Sequence, residues 1–181
     1  MNPVWRFKSV EWNENGTNVE LTISGKQFAK LMDLCFEQAD AFSFCAARWA
    51  NAKDRRLENA LKGFKTGEIH TNHWFCYGIT HPDLKVDLYR AADEAKEIIL
   101  QYIEYLFLSG DENNLYTLED LCFFKGDELF LGTVTHERMC YAHILSKQFG
   151  EELRRLGDWE DGSDNDFARL DLSGFEKVDE P

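Results

Sequence analysis

The sequence predicts an α+β domain, a mainly antiparallel sheet with helices packed on it. Three observations lead there. Two stretches read as β-hairpins, with turn residues between strand-like runs. Several other stretches carry apolar residues at helical spacing. The two kinds of segment are interspersed, without the regular strand–helix–strand alternation of a parallel sheet.

The chain opens on the first hairpin. Trp5 and Phe7 alternate with Arg6 and Lys8, and Val19, Leu21 and Ile23 alternate with Glu20 and Thr22. Each run has the two-residue period of a half-buried strand. Between them, Asn13-Glu14-Asn15-Gly16 supplies the positive φ angles of a tight turn. A helix follows. Ser24 with Gln27 makes a capping-box pattern. Phe28, Leu31, Met32 and Cys35 then repeat at i, i+3, i+4, i+7 and share one face. Residues 41–49 are ambiguous: Phe42, Phe44 and Ala46 would share a strand face, or the helix would continue.

Leu57, Ala60, Leu61 and Phe64 return to helical spacing and stop near Gly63 and Gly67. Residues 68–79, with Trp74, Phe75, Cys76 and Tyr77 at their centre, suit an inner strand. His81-Pro82-Asp83 breaks it, because proline lacks an N–H and restrains its predecessor. The longest helix is expected over 90–108, with Ala95, Ile98, Ile99, Tyr102 and Leu106 as its buried stripe. Gly110 after Ser109 provides the left-handed cap. The second hairpin spans 121–134, with Gly126-Asp127 as a type II′ pair. A last helix carries Phe149, Leu153 and Leu156 and ends at Gly157. The expected organisation is a domain over 1–157 and an acidic, partly flexible segment over 158–181.

The 181 residues are enough to bury roughly 70% of the surface the unfolded chain exposes. A hydrophobic content of 44% with 14 phenylalanines supplies one substantial core. The five cysteines are odd in number, spread out and set among apolar neighbours, as reduced core cysteines are. Residues 1–10 have no apolar signal core, and the apolar run 98–108 is broken by Gln101 and Glu104. A cytoplasmic protein with no membrane partner is expected.

Charge is the strongest functional signal. The chain has 33 acids against 20 Lys and Arg, a formal charge of -13. Residues 158–181 hold nine acids and two bases, so seven of the thirteen surplus charges lie there. Such a field repels phosphate and attracts basic surfaces. Nucleic acid is therefore not an expected partner. The best basic cluster, Arg48, Lys53, Arg55, Arg56, Lys62 and Lys65, is balanced by Asp54 and Glu58.

Catalytic motifs are sparse. No Gly-x-Ser-x-Gly elbow or Gly-x-Gly-x-x-Gly loop is present. His136, Glu137 and Cys140 resemble a metalloprotease HExxH motif ending in Cys. Strand-like residues on either side argue against the helix that motif needs. His70 and His73, at i, i+3, would point to opposite faces of a strand. Glu119 and Asp120 are adjacent acids of the usual solvated kind. No catalytic residue, metal or cofactor is expected.

The acidic end differs from a solvating tail because aromatic residues are mixed into it. Asp158, Trp159, Glu160, Asp161, Asp164, Asp166 and Phe167 are the candidate partner-binding residues. Rings fill pockets on a partner, and carboxylates engage its Lys and Arg. Residues 117–137, including Leu121-Cys122-Phe123-Phe124 and Gly132-Thr133-Val134-Thr135-His136-Glu137, carry a family pattern. So do residues 28–44, with Leu34-Cys35-Phe36 and Phe42-Ser43-Phe44. Together they resemble small acidic immunity proteins encoded beside bacterial polymorphic or contact-dependent toxins. The resemblance implies a cytosolic protein that binds a cognate basic toxin domain, often a nuclease, and blocks its active site or substrate access. Two other readings stand beside it: an acidic nucleic-acid mimic that inhibits a host defence enzyme, and a metal-dependent enzyme using His136, Glu137 and Cys140.

Overall fold

The most apolar part of the chain forms the middle of the sheet. The computed structural model describes residues 3–75, 77–79, 83–107, 110–111, 114–162 and 175–177. In it, Leu118–Lys125 and Glu128–Val134 pair antiparallel across Gly126-Asp127. Gly126 takes a φ of 57°, the positive value that the first central residue of a two-residue hairpin loop requires. Residues 118–124 and 129–134 are all buried, so this hairpin is covered on both faces.

Numbered along the chain, the main sheet contains β1 (Val4–Phe7), β2 (Ala41–Ala46), β3 (Lys65–Thr71) and β4 (Leu84–Arg90). It continues with β5 (Leu118–Lys125), β6 (Glu128–Val134), β7 (Met139–His143), β8 (Trp159–Asp161) and β9 (Glu176–Lys177). Their spatial order is β8-β1-β7-β6-β5-β2-β4-β3-β9. Every neighbouring pair is antiparallel. The helices are α1 (Gly25–Gln38), α2 (Arg56–Leu61), α3 (Asp93–Tyr102) and α4 (Lys147–Leu156). The α+β class follows directly. No helix of the described residues is long and apolar enough to cross a membrane.

All four helices cover one face of the sheet. Phe28, Leu31, Met32 and Cys35 of α1 are buried, as their spacing predicts. They join Leu57 of α2, Ile99 of α3 and Leu153 of α4 against Phe42, Phe44, Phe123 and Phe130 of the strands. Each such side chain contributes about 1.5–3 kcal/mol by leaving water. Ser24 occupies the N-cap of α1 without a side-chain cap bond. Ser146 does cap α4, its hydroxyl accepting from the Phe149 N–H at 3.1 Å. Cys35, Cys45, Cys122 and Cys140 are buried reduced thiols, as core cysteines should be; Cys76 lies outside the described residues.

The other face is covered by a small hairpin, His73–Trp74 with Tyr77–Gly78. Its Trp74 and Phe75 are buried against Phe124 and Tyr141. The chain turns sharply here, with Phe75 at a φ of 50°. A Cβ on Gly132 would lie 2.9 Å from the Phe75 ring, so this close approach requires glycine. At the β3–β4 end of the sheet, Lys65 bridges Asp87 at 2.7 Å and Glu68 at 2.6 Å. Lys85 adds contacts of 3.2 and 3.4 Å to the same two acids. The Lys65 hydrogen bond holds the Glu68 carboxyl down at about 2.

Several expectations are corrected. β1 does not pair with residues 19–23. It lies between β7 and β8, and the Asn13–Gly16 turn instead joins Val10–Trp12 to Asn18–Glu20. The ambiguous run after α1 is a strand, β2. The single strand expected over 68–79 is divided: β3 ends at Thr71, and His73–Trp74 pairs with Tyr77–Gly78 across the turn at Phe75. The helix expected from residue 90 begins at Asp93, since Arg90 ends β4. Beyond Gly157, β8 and β9 pair with β1 and β3 in the main sheet.

Gly132→Ala should therefore lower stability by about 1–3 kcal/mol through overpacking. Urea unfolding measures it, and adding Phe75→Leu should restore part of the loss. An unchanged midpoint for Gly132→Ala would show that the hairpin does not press on β6.

Candidate functional site

A bulge in β5 builds the first candidate site. Register slips between Glu119 and Cys122, and Asp120 sits at a φ of 58°. In a regular strand these neighbours would point to opposite faces. Here a carboxylate oxygen from each and a ring nitrogen of His136 lie within 4.8 Å of one another. Asp120 fixes the arrangement. The Thr135 N–H donates to Asp120 Oδ1 at 2.6 Å, and the Asp120 N–H donates to Thr135 Oγ1 at 3.2 Å. Thr135 opens the turn between β6 and β7, so the pair places His136 beside the bulge.

Glu119 and Asp120 are 7% and 1% exposed. The Trp49 indole N–H donates to Glu119 Oε2 at 3.0 Å. Burial pushes the Glu119 carboxyl up, and the Asp120 charge adds to the rise. The Trp49 hydrogen bond, His136 and a backbone hydrogen bond from Arg48 oppose it. Trp49 itself is 47% exposed, and its ring meets His136 edge to face at 5.8 Å. These groups line a cleft of about 600 Å³. Ile79, Leu84, Val134 and Met139 form its apolar side; Arg48 and Glu137 complete the polar side.

The His136, Glu137 and Cys140 grouping does not form. Residues 135–138 are a turn, so no helix aligns them. His136 and Glu137 are neighbours at 3.8 Å, but Cys140 points into the helix-side core, where burial pushes its thiol up. Glu119 and Asp120 take its place beside His136, which corrects their reading as solvated acids. Their position in an otherwise apolar run was the available signal. His70 pairs with Glu68 at 3.2 Å. The basic cluster is neutralised as expected, through Arg55–Glu58 and Arg56–Asp54 at 2.9 and 2.6 Å.

The second candidate site lies at the β8 edge. Asp158 bridges Lys8 at 3.1 Å. That bond and charge raise the Lys8 pKa, with smaller effects from Glu160 and Glu11, which line the same groove. Glu160 and Asp161 are exposed. Trp159 is not the expected partner anchor: it is 8% exposed and packs on Phe7 at 5.5 Å. Strand alternation explains this, since Trp159 faces the core while Glu160 faces away. Asp164, Asp166 and Phe167 lie outside the described residues.

The exposed aromatic at this edge is Trp12. It is 69% exposed on the first small hairpin, beside exposed Val10 and Val19. A groove lined by Glu11, Trp12, Leu21, Asp158 and Glu160, with Arg6 and Lys8, separates that hairpin from β8. Arg138 ties the hairpin down, bridging Glu20 at 3.1 Å and donating to the Leu21 carbonyl at 3.1 Å.

No protein-family model matches this chain, and comparison with curated proteins and with solved structures finds no match.

The Glu119 shift has a direct test. Its folded pKa lies above the unfolded value of about 4.3, so the ionised carboxylate subtracts stability as pH rises through that window. The Trp49 indole proton, bonded to this group, should report a titration midpoint above about 4.3 by NMR. Glu119→Gln should remove the pH dependence. A midpoint at or below the ordinary value would show that the cleft does not desolvate the acid.

Proposed function

We propose that this chain is an inhibitor that binds a basic protein and blocks it, as an immunity protein blocks its cognate toxin. The observation that carries this reading is Trp12, a tryptophan 69% exposed at a groove also lined by Glu11, Asp158 and Glu160, with Arg6 and Lys8. A large ring in water is poorly placed for stability and well placed for an interface. Tryptophan is enriched among residues whose truncation costs about 2 kcal/mol or more of binding. Carboxylates around it favour Lys and Arg on the partner and raise the association rate.

The partner is most simply a nuclease-type toxin domain. Its active surface must be basic to hold phosphates, and this chain carries a formal charge of -13. Carboxylates on the β8 edge would occupy the cations that otherwise contact nucleic acid. Trp12 would fill a pocket among them. A standard interface of roughly 1,600 Å² is large enough to occlude such a site. In this reading the inhibitor acts in the cytoplasm, before the toxin reaches its substrate.

The test is co-expression with the product of the neighbouring gene. Trp12→Ala should weaken binding about 30-fold or more, the equivalent of about 2 kcal/mol, and abolish protection of cell growth. Glu11→Gln with Glu160→Gln should slow association several-fold at low salt and little at high salt. Full affinity and protection in all three substitutions would remove this surface from the interface. Failure of the wild-type chain to bind would remove the reading.

A further inference from the structure

We propose that the cleft beside Trp49 receives one arginine or lysine side chain of the partner, a second anchor point distinct from the Trp12 groove. The inference rests on the reading of the partner as a basic protein.

The cleft has the shape and chemistry such a side chain needs. Ile79, Leu84, Val134 and Met139 give an apolar wall for an aliphatic stem. At the polar side stand the carboxylates of Glu119 and Glu137. Glu119 is 7% exposed, so its charge is weakly screened and acts strongly on a cation brought close. The volume, about 600 Å³, lies in the range of sites that hold small ligands.

Trp49 supplies the third feature. Its ring is 47% exposed, yet its indole N–H is held by Glu119 at 3.0 Å and its ring centroid lies 5.8 Å from that of His136, the two planes steeply inclined. An exposed ring fixed in this way offers a π face to a cation with little rotamer entropy left to lose. Arginine fits best, because its planar guanidinium both stacks on rings and forks onto carboxylates.

The bulge explains how the charge is delivered. Leu118 and Leu121 turn to the helix-side core, and Cys122 turns to the opposite face. The left-handed backbone at Asp120 brings Glu119 and Asp120 together at the cleft end of the strand. A conformation this uncommon for a non-glycine residue concentrates at functional sites. Arg48 is the one Arg or Lys among the described lining residues, so its removal would take a competing positive charge from the cleft.

The experiment uses the isotope-labelled full chain, titrated with an arginine blocked at both ends as its N-acetyl methylamide. The blocked norleucine is the uncharged control, and zinc chloride is a separate arm. The arginine probe should shift the Trp49 indole resonance saturably, with the norleucine probe at least tenfold weaker. Glu119→Gln should weaken the arginine probe at least tenfold while the rest of the spectrum stays folded. Arg48→Ala should tighten it. Equal binding of both probes, or no saturable shift at Trp49, would overturn the proposal. So would zinc binding the Glu119, Asp120 and His136 groups while arginine does not, which would make this a metal site. Trp12→Ala should leave probe binding unchanged. Failure of the wild-type chain to bind the toxin domain, with probe binding intact, would sink the inhibitor reading and leave the cleft standing.

Discussion

Burial of the β5–β6 hairpin on both faces is the constraint that organises the molecule. Residues 118–124 and 129–134 leave no solvent-facing side. One face therefore needs the four helices, and the other needs the Trp74–Phe75 hairpin. Gly132 exists at the point where the second cover presses closest. A strand enclosed like this cannot carry an ordinary charged residue in its interior, because an unpaired buried charge is too costly. The two acids of β5 sit near its start, where a bulge breaks the ladder and the turn after β6 supplies partners.

What the sequence spelled out was local. Helix α1 was legible because Phe28, Leu31, Met32 and Cys35 occupy one face at the helical period, and they are all buried. The central hairpin was legible because Gly126-Asp127 separates two apolar runs. β4 was not, since Lys85 and Asp87 interrupt it, and they are tolerated only through Lys65 and Glu68 on the neighbouring strand. β8 was hidden by composition: its acids read as tail, while the alternation that buries Trp159 and exposes Glu160 spans only three residues. The cleft was half visible. His136 was marked by the sequence, but its true companions depend on Asp120 meeting Thr135, fifteen residues away. No spacing rule within one strand foretells a bulge fixed from another.

The charge balance also acquires a structural meaning. Lys65, Lys85, Arg55 and Arg56 are engaged with Glu68, Asp87, Glu58 and Asp54 around β3, β4 and α2. Those bases serve the fold and neutralise acids locally. At the β8 edge Lys8 bridges Asp158, and Arg6 and Lys8 line a groove with Glu11, Asp158 and Glu160 that also shows an exposed ring.

The tryptophans sharpen the same point. Trp5, Trp74 and Trp159 are buried, while Trp12 and Trp49 are exposed. Each exposed ring lines a groove that carboxylates also line, Asp158 and Glu160 for one and Glu119 for the other. The β6–β7 turn connects them. Its Arg138 holds the Trp12 hairpin through Glu20 and the Leu21 carbonyl. Its His136 and Glu137 line the Trp49 cleft. Arg138 takes a φ of 52°, a conformation an unconstrained arginine rarely adopts. A turn whose four residues position two separate aromatic sites fixes the distance between them. Two anchors at a fixed spacing on one protein discriminate partners by geometry as well as by charge, which a loose acidic tail cannot do.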